Sequence, residues 1–102
     1  MLNSGVYIIF NKVNCKTYVG SATNFSKRWA VHRHGLKRGK HENIILQRAW
    51  AKYGAEAFEF IVIERVELDK LLEREQYWMD TLQVCEYGYN ILPRARSGIG
   101  RQ

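Results

Sequence analysis

Acidic residues are nearly missing from the first half of this 102-residue chain. Up to position 55 Glu42 is the only one, against ten lysines and arginines; from position 56 on, nine acids face six bases. The net charge is +6 and the pI about 9.6. Such an imbalance describes a basic face on an acidic support and suggests a polyanionic partner. Cysteine is scarce too. Cys15 and Cys85 stand far apart with no CxxC spacing, which argues against a zinc site or a disulfide framework. No apolar run reaches the ~18 residues of a membrane span. The opening MLNSG lacks the charged and apolar regions of a signal peptide. The expectation is a cytoplasmic protein with free thiols, no membrane association and a monomeric state.

What is present describes a folded globule: 46% hydrophobic and 13% aromatic residues, without repeats or low-complexity stretches. One domain with a single modest core is expected, spanning residues 1–92, with residues 93–102 as a loose basic tail or the stub of a linker. Val6 to Asn11 and Lys16 to Ser21 read as strands joined by a short turn at Val13-Asn14-Cys15, and hence as an antiparallel hairpin. A four-residue loop makes Tyr7 and Tyr18 diagonal neighbours on one face, close enough for two phenols to share a site. Gly5 and Gly20 flank the pair, where strand glycines mark a bulge or a close backbone approach.

Asn24 is placed to cap a helix running to Gly39, with Phe25, Trp29 and Leu36 toward the core. Arg28 and His32, four apart, are neighbours on its surface. Lys27, Arg33, Lys37, Arg38 and Lys40 make this the most basic stretch. A basic helix can be merely solvated, but no acid lies between Ser21 and His41, whereas solvated surfaces mix both signs. His41 precedes a second helix, Asn43 to Tyr53, stopped by Gly54. Its expected buried side is Ile45, Leu46, Ala49, Trp50 and Tyr53, with Arg48 and Lys52 on another face, in reach of phosphates. Ala57 to Val66 is the strongest strand and is expected to be central. Leu68 to Leu82 follows as a helix whose apolar stripe holds Leu68, Leu71, Leu72, Trp78, Met79 and Leu82. Glu86 to Pro93 is expected to close the chain as a short extended segment. The order β-β-α-α-β-α describes an α/β or α+β fold with a small three-stranded, mainly antiparallel sheet flanked by helices.

The helix near the end holds an anomaly. At ~100° per residue Glu75 falls in the middle of the apolar stripe, while Glu73, Tyr77 and Asp80 point away. A carboxylate on a buried face has to be paired, hydrogen-bonded or bound to a cation. Spacing alone leaves two readings open, an ion pair with an arginine and a ligand to a divalent metal.

Gly5-Val6-Tyr7 and Tyr18-Val19-Gly20, followed by Arg28, His32, Glu75 and Gly88-Tyr89-Asn90, resemble the GIY-YIG nuclease family from about residue 4 to residue 92. KRWAVH, EREQYW and GYN are most similar to catalytic domains of phage and intron-encoded homing endonucleases. Valine replaces isoleucine in both triplets, a β-branched exchange. The resemblance implies a DNA endonuclease acting on double-stranded DNA with one Mg²⁺, for which Mn²⁺ can substitute, held by Glu75. It implies Arg28 on the scissile phosphate, Tyr7 as helper in deprotonating water and Tyr18 as its positioner. His32 stays a competing base, because a phenol with a reference pKa of ~10 is a poor one unless its surroundings lower it. His41 matches a phosphate-contacting position, and Asn90 one that orients its neighbours. A reading domain beyond residue 102 or on a separate chain is expected to supply specificity. The rival readings are a repair or restriction nuclease and a non-catalytic nucleic-acid-binding module.

Overall fold

A computed structural model describes residues 1–91 of the chain. Gly5–Asn11 (β1) and Thr17–Ala22 (β2) form the expected antiparallel hairpin, with Tyr7 opposite Gly20 and Ile9 opposite Tyr18. Asn11 N–H donates to the Lys16 carbonyl across the loop (2.9 Å), and the Asn11 carbonyl accepts from Cys15 N–H (2.8 Å). The loop therefore holds four residues, and Tyr7 and Tyr18 are diagonal neighbours on one face.

The third strand departs from expectation. Phe58–Arg65 (β3) pairs antiparallel with β1, and the strand order is β2-β1-β3, so β1 is central and β3 is an edge. Exposure agrees: Val6, Tyr7, Ile9 and Asn11 of β1 are at 0%, whereas β3 is mostly half-buried. The dense apolar pattern of β3 came from partial cover on both faces, which sequence alone does not distinguish from a central place. A register shift opposite Val6 and Tyr7 bends this pair.

Two helical layers cover the sheet. Phe25–Lys37 (α1) begins at Asn24, whose side chain accepts from Lys27 N–H, and Ile44–Tyr53 (α2) begins at Asn43, which does the same for Leu46 N–H. Both pack on the face carrying Tyr7, Ile9 and Ala22, with Phe25, Leu36, Leu46, Ala49, Trp50 and Phe58. Ile45 is exposed, contrary to expectation, so the buried side of α2 is Leu46, Ala49 and Trp50 with Tyr53 half-covered. Leu71–Leu82 (α3) and the single turn Val84–Tyr87 (α4) cover the other face through Met79 and Val84 against Val6 and Val19. Leu68 lies in a separate short helical turn, and Leu68, Leu72 and Leu82 are exposed. The real stripe is narrower than expected: Leu71, Glu75 and Met79 at four-residue steps.

The close of the chain is not simply extended, since Glu86 and Tyr87 belong to α4; Pro93 and the tail lie outside the described residues. Tyr89 N–H donates to the Thr17 carbonyl (2.9 Å). The Asn90 amide then accepts from Val19 N–H (2.8 Å) and donates to the Val19 carbonyl (2.9 Å), occupying both outward backbone groups of that edge residue. Gly88 permits this approach, because a Cβ there would collide with the Thr17 carbonyl oxygen. A side chain thus blunts an edge that would otherwise offer free donors and acceptors. Asn90→Ala leaves two buried backbone groups unsatisfied and is expected to cost about 1–3 kcal/mol. Denaturant unfolding measures it; a loss below the error of the method would show that water replaces the amide freely.

Candidate active site

Strand alternation sends Tyr18 and Gly20 to the α1 side of β2 and Val19 and Ser21 to the α3 side. Tyr7 crosses over Gly20, where a Cβ would lie 2.5 Å from the phenol oxygen. The glycine is therefore a window through which the buried phenol reaches across β2. Tyr7 is at 0% exposure and Tyr18 is half-buried as a residue, but the hydroxyls of both are withdrawn from solvent.

From α1 come Arg28 and His32, one turn apart. The Tyr7 hydroxyl and His32 Nε2 are 2.5 Å apart. The His32 ring lies edge-on to both tyrosine rings, at 5.6 and 5.5 Å between centroids. The positive charge of Arg28 acts on both phenols. Its Nε is buried with no hydrogen-bond partner, a guanidinium donor left over inside the cluster. Burial pushes the Tyr18 phenol up to about 12 and raises Tyr7 well above its ordinary value, and the positive charge of Arg28 opposes both shifts. His32, 1% exposed, is driven down to about 2 by burial, with Arg28 and His41 adding to the effect.

Glu75 arrives from the opposite face. It is 4% exposed, and its Oε1 accepts from the Ser21 hydroxyl at 2.7 Å. Burial raises its carboxyl pKa, while the Ser21 hydrogen bond and the charge of Arg28 hold it back. Arg28 thus acts electrostatically on Tyr7, Tyr18 and Glu75 alike, and the groups from the two faces meet at the outer edge of β2. The arginine ion pair offered as one explanation of Glu75 is absent: among the described residues the salt bridge is Arg74 to Glu64, at 2.8 Å.

His41 lies one ring further from the centre. Its Nε2 lies 2.7 Å from His32 Nδ1. Arg28, His32 and His41 also line a surface hollow of about 320 Å³ with His34, Arg38, Lys40 and Glu42 among its other walls. Of the basic residues singled out from sequence, Arg38 and Lys40 therefore reach the site. Lys27, Lys37, Arg48 and Lys52 are exposed elsewhere on α1 and α2. Arg33 sits over the Phe60 ring, 4.3 Å from its centroid, and Lys52 over that of Tyr53 at 5.3 Å. Asn90 stands one strand residue from Tyr18 and Gly20, bound to the Val19 backbone rather than to a side chain of the cluster.

Sequence reasoning missed the residues that hold these groups. Ser21 anchors Glu75, and Gln47 and Asn43 anchor His41: Gln47 Oε1 accepts from His41 N–H (2.9 Å), and Asn43 N–H donates to His41 Nδ1 (3.0 Å). Alternation could have aimed Ser21 at the Glu75 side once α3 was placed there. Nothing in the spacing of Gln47 marks it.

Two phenols, a guanidinium and a shielded carboxylate thus gather around β2. A family model, the GIY-YIG catalytic domain, matches residues 3–90, and the chain belongs to that family. It is 44% identical over 92 residues to intron-associated endonuclease 1 of Enterobacteria phage T4, covering 88% of this chain and 37% of the relative. It is 40% identical over 60 residues to probable intron-encoded endonuclease 1 of Neurospora crassa, covering 59% of this chain and 18% of that protein. The chain thus spans about a third or less of the curated relatives it matches. Its structure is similar to the catalytic domain of the homing endonuclease I-TevI, with TM-score 0.82 and 43% identity over 87% of this chain and 98% of that domain. A mutant of the same domain gives TM-score 0.83 and 41% identity, over 90% and 96%.

The histidine environment has a consequence for stability. In the folded chain His32 stays neutral down to about 2, whereas an unfolded histidine binds its proton near ~6.5. Between those values the unfolded state holds more protons, so stability rises with pH and is lost as pH falls through the unfolded value. Denaturation midpoints are expected to drop between pH 7 and 5.5, above the carboxylate range. The limiting slope for this one group is about 1.4 kcal/mol per pH unit. A midpoint unchanged over that interval would contradict a neutral buried His32.

Proposed function

We propose that this domain is a divalent-metal-dependent DNA endonuclease that hydrolyses phosphodiester bonds to 5′-phosphate and 3′-hydroxyl ends. The observation that carries the reading is the meeting of Tyr7, Tyr18, Arg28 and His32 from one sheet face with Glu75 from the other. A binding module has no use for a carboxylate buried in an apolar stripe beside a guanidinium and two phenols. Family membership and the likeness to endonuclease catalytic domains support the same reading.

The donor set suits a hard cation that keeps most of its water. Among the described residues no group of three or more His, Cys, Asp or Glu side chains is placed to hold a metal. A single shielded carboxylate, oriented by Ser21, fits Mg²⁺ or Mn²⁺ bound by Glu75 and completed by water and phosphate oxygens. Such an ion supplies Lewis-acid stabilisation of the departing 3′-oxygen.

The rest is the work of the chain. Arg28 takes the scissile phosphate: its fork suits two phosphate oxygens, and its unpartnered Nε–H is a donor still to be satisfied. Fixed there, the guanidinium offsets negative charge as it develops. Tyr7 and Tyr18 share the attacking water, Tyr7 helping to remove its proton and Tyr18 positioning it, with the charge of Arg28 acting on both phenols. Arg38 and Lys40 extend positive charge from the hollow along the DNA backbone. Contacts of this kind are sequence-blind, so affinity is expected to fall steeply with salt. Sequence reading belongs to parts of a longer protein, as the excess length of the relatives suggests.

Supercoiled plasmid gives the test. Nicking is expected with Mg²⁺, none with EDTA, and a loss of at least about 10²-fold in Glu75→Gln and Arg28→Leu. Cleavage by Glu75→Gln at the wild-type rate would sink the metal assignment, and gel retardation without any cleavage would leave a binding module. The phenols predict a pH profile as well. With Tyr18 held at about 12, its basic form grows by about tenfold per pH unit below that value. The logarithm of the single-turnover nicking rate should rise with a slope of about one from pH 7 to 9. A flat profile there would exclude a tyrosine base.

A further inference from the structure

Asn43, His41, His32 and Tyr7 form one continuous chain of hydrogen bonds, and its direction is fixed at one end. The Asn43 backbone N–H can only donate, so His41 Nδ1, 3.0 Å away, carries no hydrogen. A neutral imidazole then has its hydrogen on Nε2, and that atom lies 2.7 Å from His32 Nδ1. The two rings are 16° from parallel with centroids 5.0 Å apart. At so short an N···N distance this is an edge-to-edge bond in a shared plane. His32 Nδ1 is therefore an acceptor, the His32 hydrogen sits on Nε2, and it points at the Tyr7 oxygen 2.5 Å away. The opposite sense, Tyr7 to His32 to His41, would leave His41 facing the Asn43 N–H with no hydrogen on either ring nitrogen. A second hydrogen on either ring would face another N–H.

We propose that His41 is a positioning residue: it locks His32 as the Nε2–H tautomer and makes it a hydrogen-bond donor to Tyr7, with no lone pair left for the proton of water. The inference rests on the nuclease reading for its consequence, but the tautomer is a property of the protein alone. His32 then joins Arg28 beside one phenol oxygen, where the charge of Arg28 opposes the rise that burial imposes on Tyr7. Removal of the water's proton falls to the tyrosine pair, which settles the competition between Tyr7 and His32 left open by sequence. The anchoring of His41 is built for direction. Gln47 fixes its backbone through His41 N–H and ties itself to the Leu36 carbonyl at 3.0 Å. Asn43, which supplies the directing N–H, is held in turn by its side-chain bond to the Tyr89 carbonyl at 2.8 Å.

Long-range ¹H–¹⁵N correlation spectra of the ¹⁵N-labelled chain read the tautomers directly. Both His32 and His41 are expected with a protonated Nε2 and a bare Nδ1. A His32 hydrogen on Nδ1 overturns the proposal, whatever the nuclease activity. Two variants carry the functional half. His41→Gln keeps an amide N–H where Nε2 stood and is expected to preserve the His32 tautomer and nicking within about threefold. His41→Leu removes the donor, mixes the His32 tautomers and lowers kcat about tenfold or more with little change in KM. Failure of His41→Gln to rescue, or wild-type kcat in a folded His41→Leu, overturns the positioning role. If the wild-type chain cleaves nothing, the nuclease reading fails, while the spectrum still decides the tautomer.

Discussion

The structure turns on one buried phenol. The Tyr7 hydroxyl is taken wholly out of water in the central strand, and a polar group there is stable only with partners. Those partners are His32 and Arg28, one turn apart on α1. The same bonds therefore dock the first helix on the sheet and assemble half of the site. Gly20 belongs to this constraint, since only a residue without a side chain leaves room for the phenol to pass. Fold and chemistry are inseparable at this point: the hydrophobic contacts of Phe25 and Leu36 hold α1 down, and the polar contacts determine its rotation and depth.

The second half of the site depends on the sheet being thin. β2 is an edge strand, and its alternating side chains serve two different layers. Tyr18 looks to α1 and Ser21 to α3, so groups on opposite faces come together around a single strand. Glu75 thereby stays in the dry environment of its helix stripe while Ser21 gives it direction. A carboxylate shielded in this way raises the strength of any electrostatic interaction it makes. The Asn90 amide closes the edge one residue away, stiffening the strand on which both tyrosine and serine ride.

Much of this was legible beforehand, for identifiable reasons. The hairpin follows from two β-rich runs and a short connection, whereas the length of its loop, which makes the tyrosines diagonal, was fixed only by the structure. Asn24 caps α1 as its side chain suggests, and Asn43, read as the first residue of α2, proves to be its cap. Glu75 was conspicuous because a charge on an apolar helix face contradicts its neighbours. The place of β3 was misread because an edge strand covered in part on both faces has the same alternation as a central one. Leu68 was misread because it lies in a separate helical turn, and Leu72 and Leu82 because the buried stripe of α3 is only as wide as Leu71, Glu75 and Met79. Gln47 was invisible: its bonds join the His41 backbone to the end of α1, and backbone partners leave no trace in residue type.

The separations along the chain also have a consequence for when this protein acquires chemistry. The contacts that define the site join residues 25, 54 and 71 positions apart. None of them is local, and the last requires Asn90. A chain synthesised only through α1 carries Tyr7, Tyr18, Arg28 and His32 but neither Glu75 nor the Asn90 amide that clamps β2. Contacts of such separation form late, after their loop-closure entropy has been met. The two halves of the cluster and the clamp on β2 thus come together only in the finished fold.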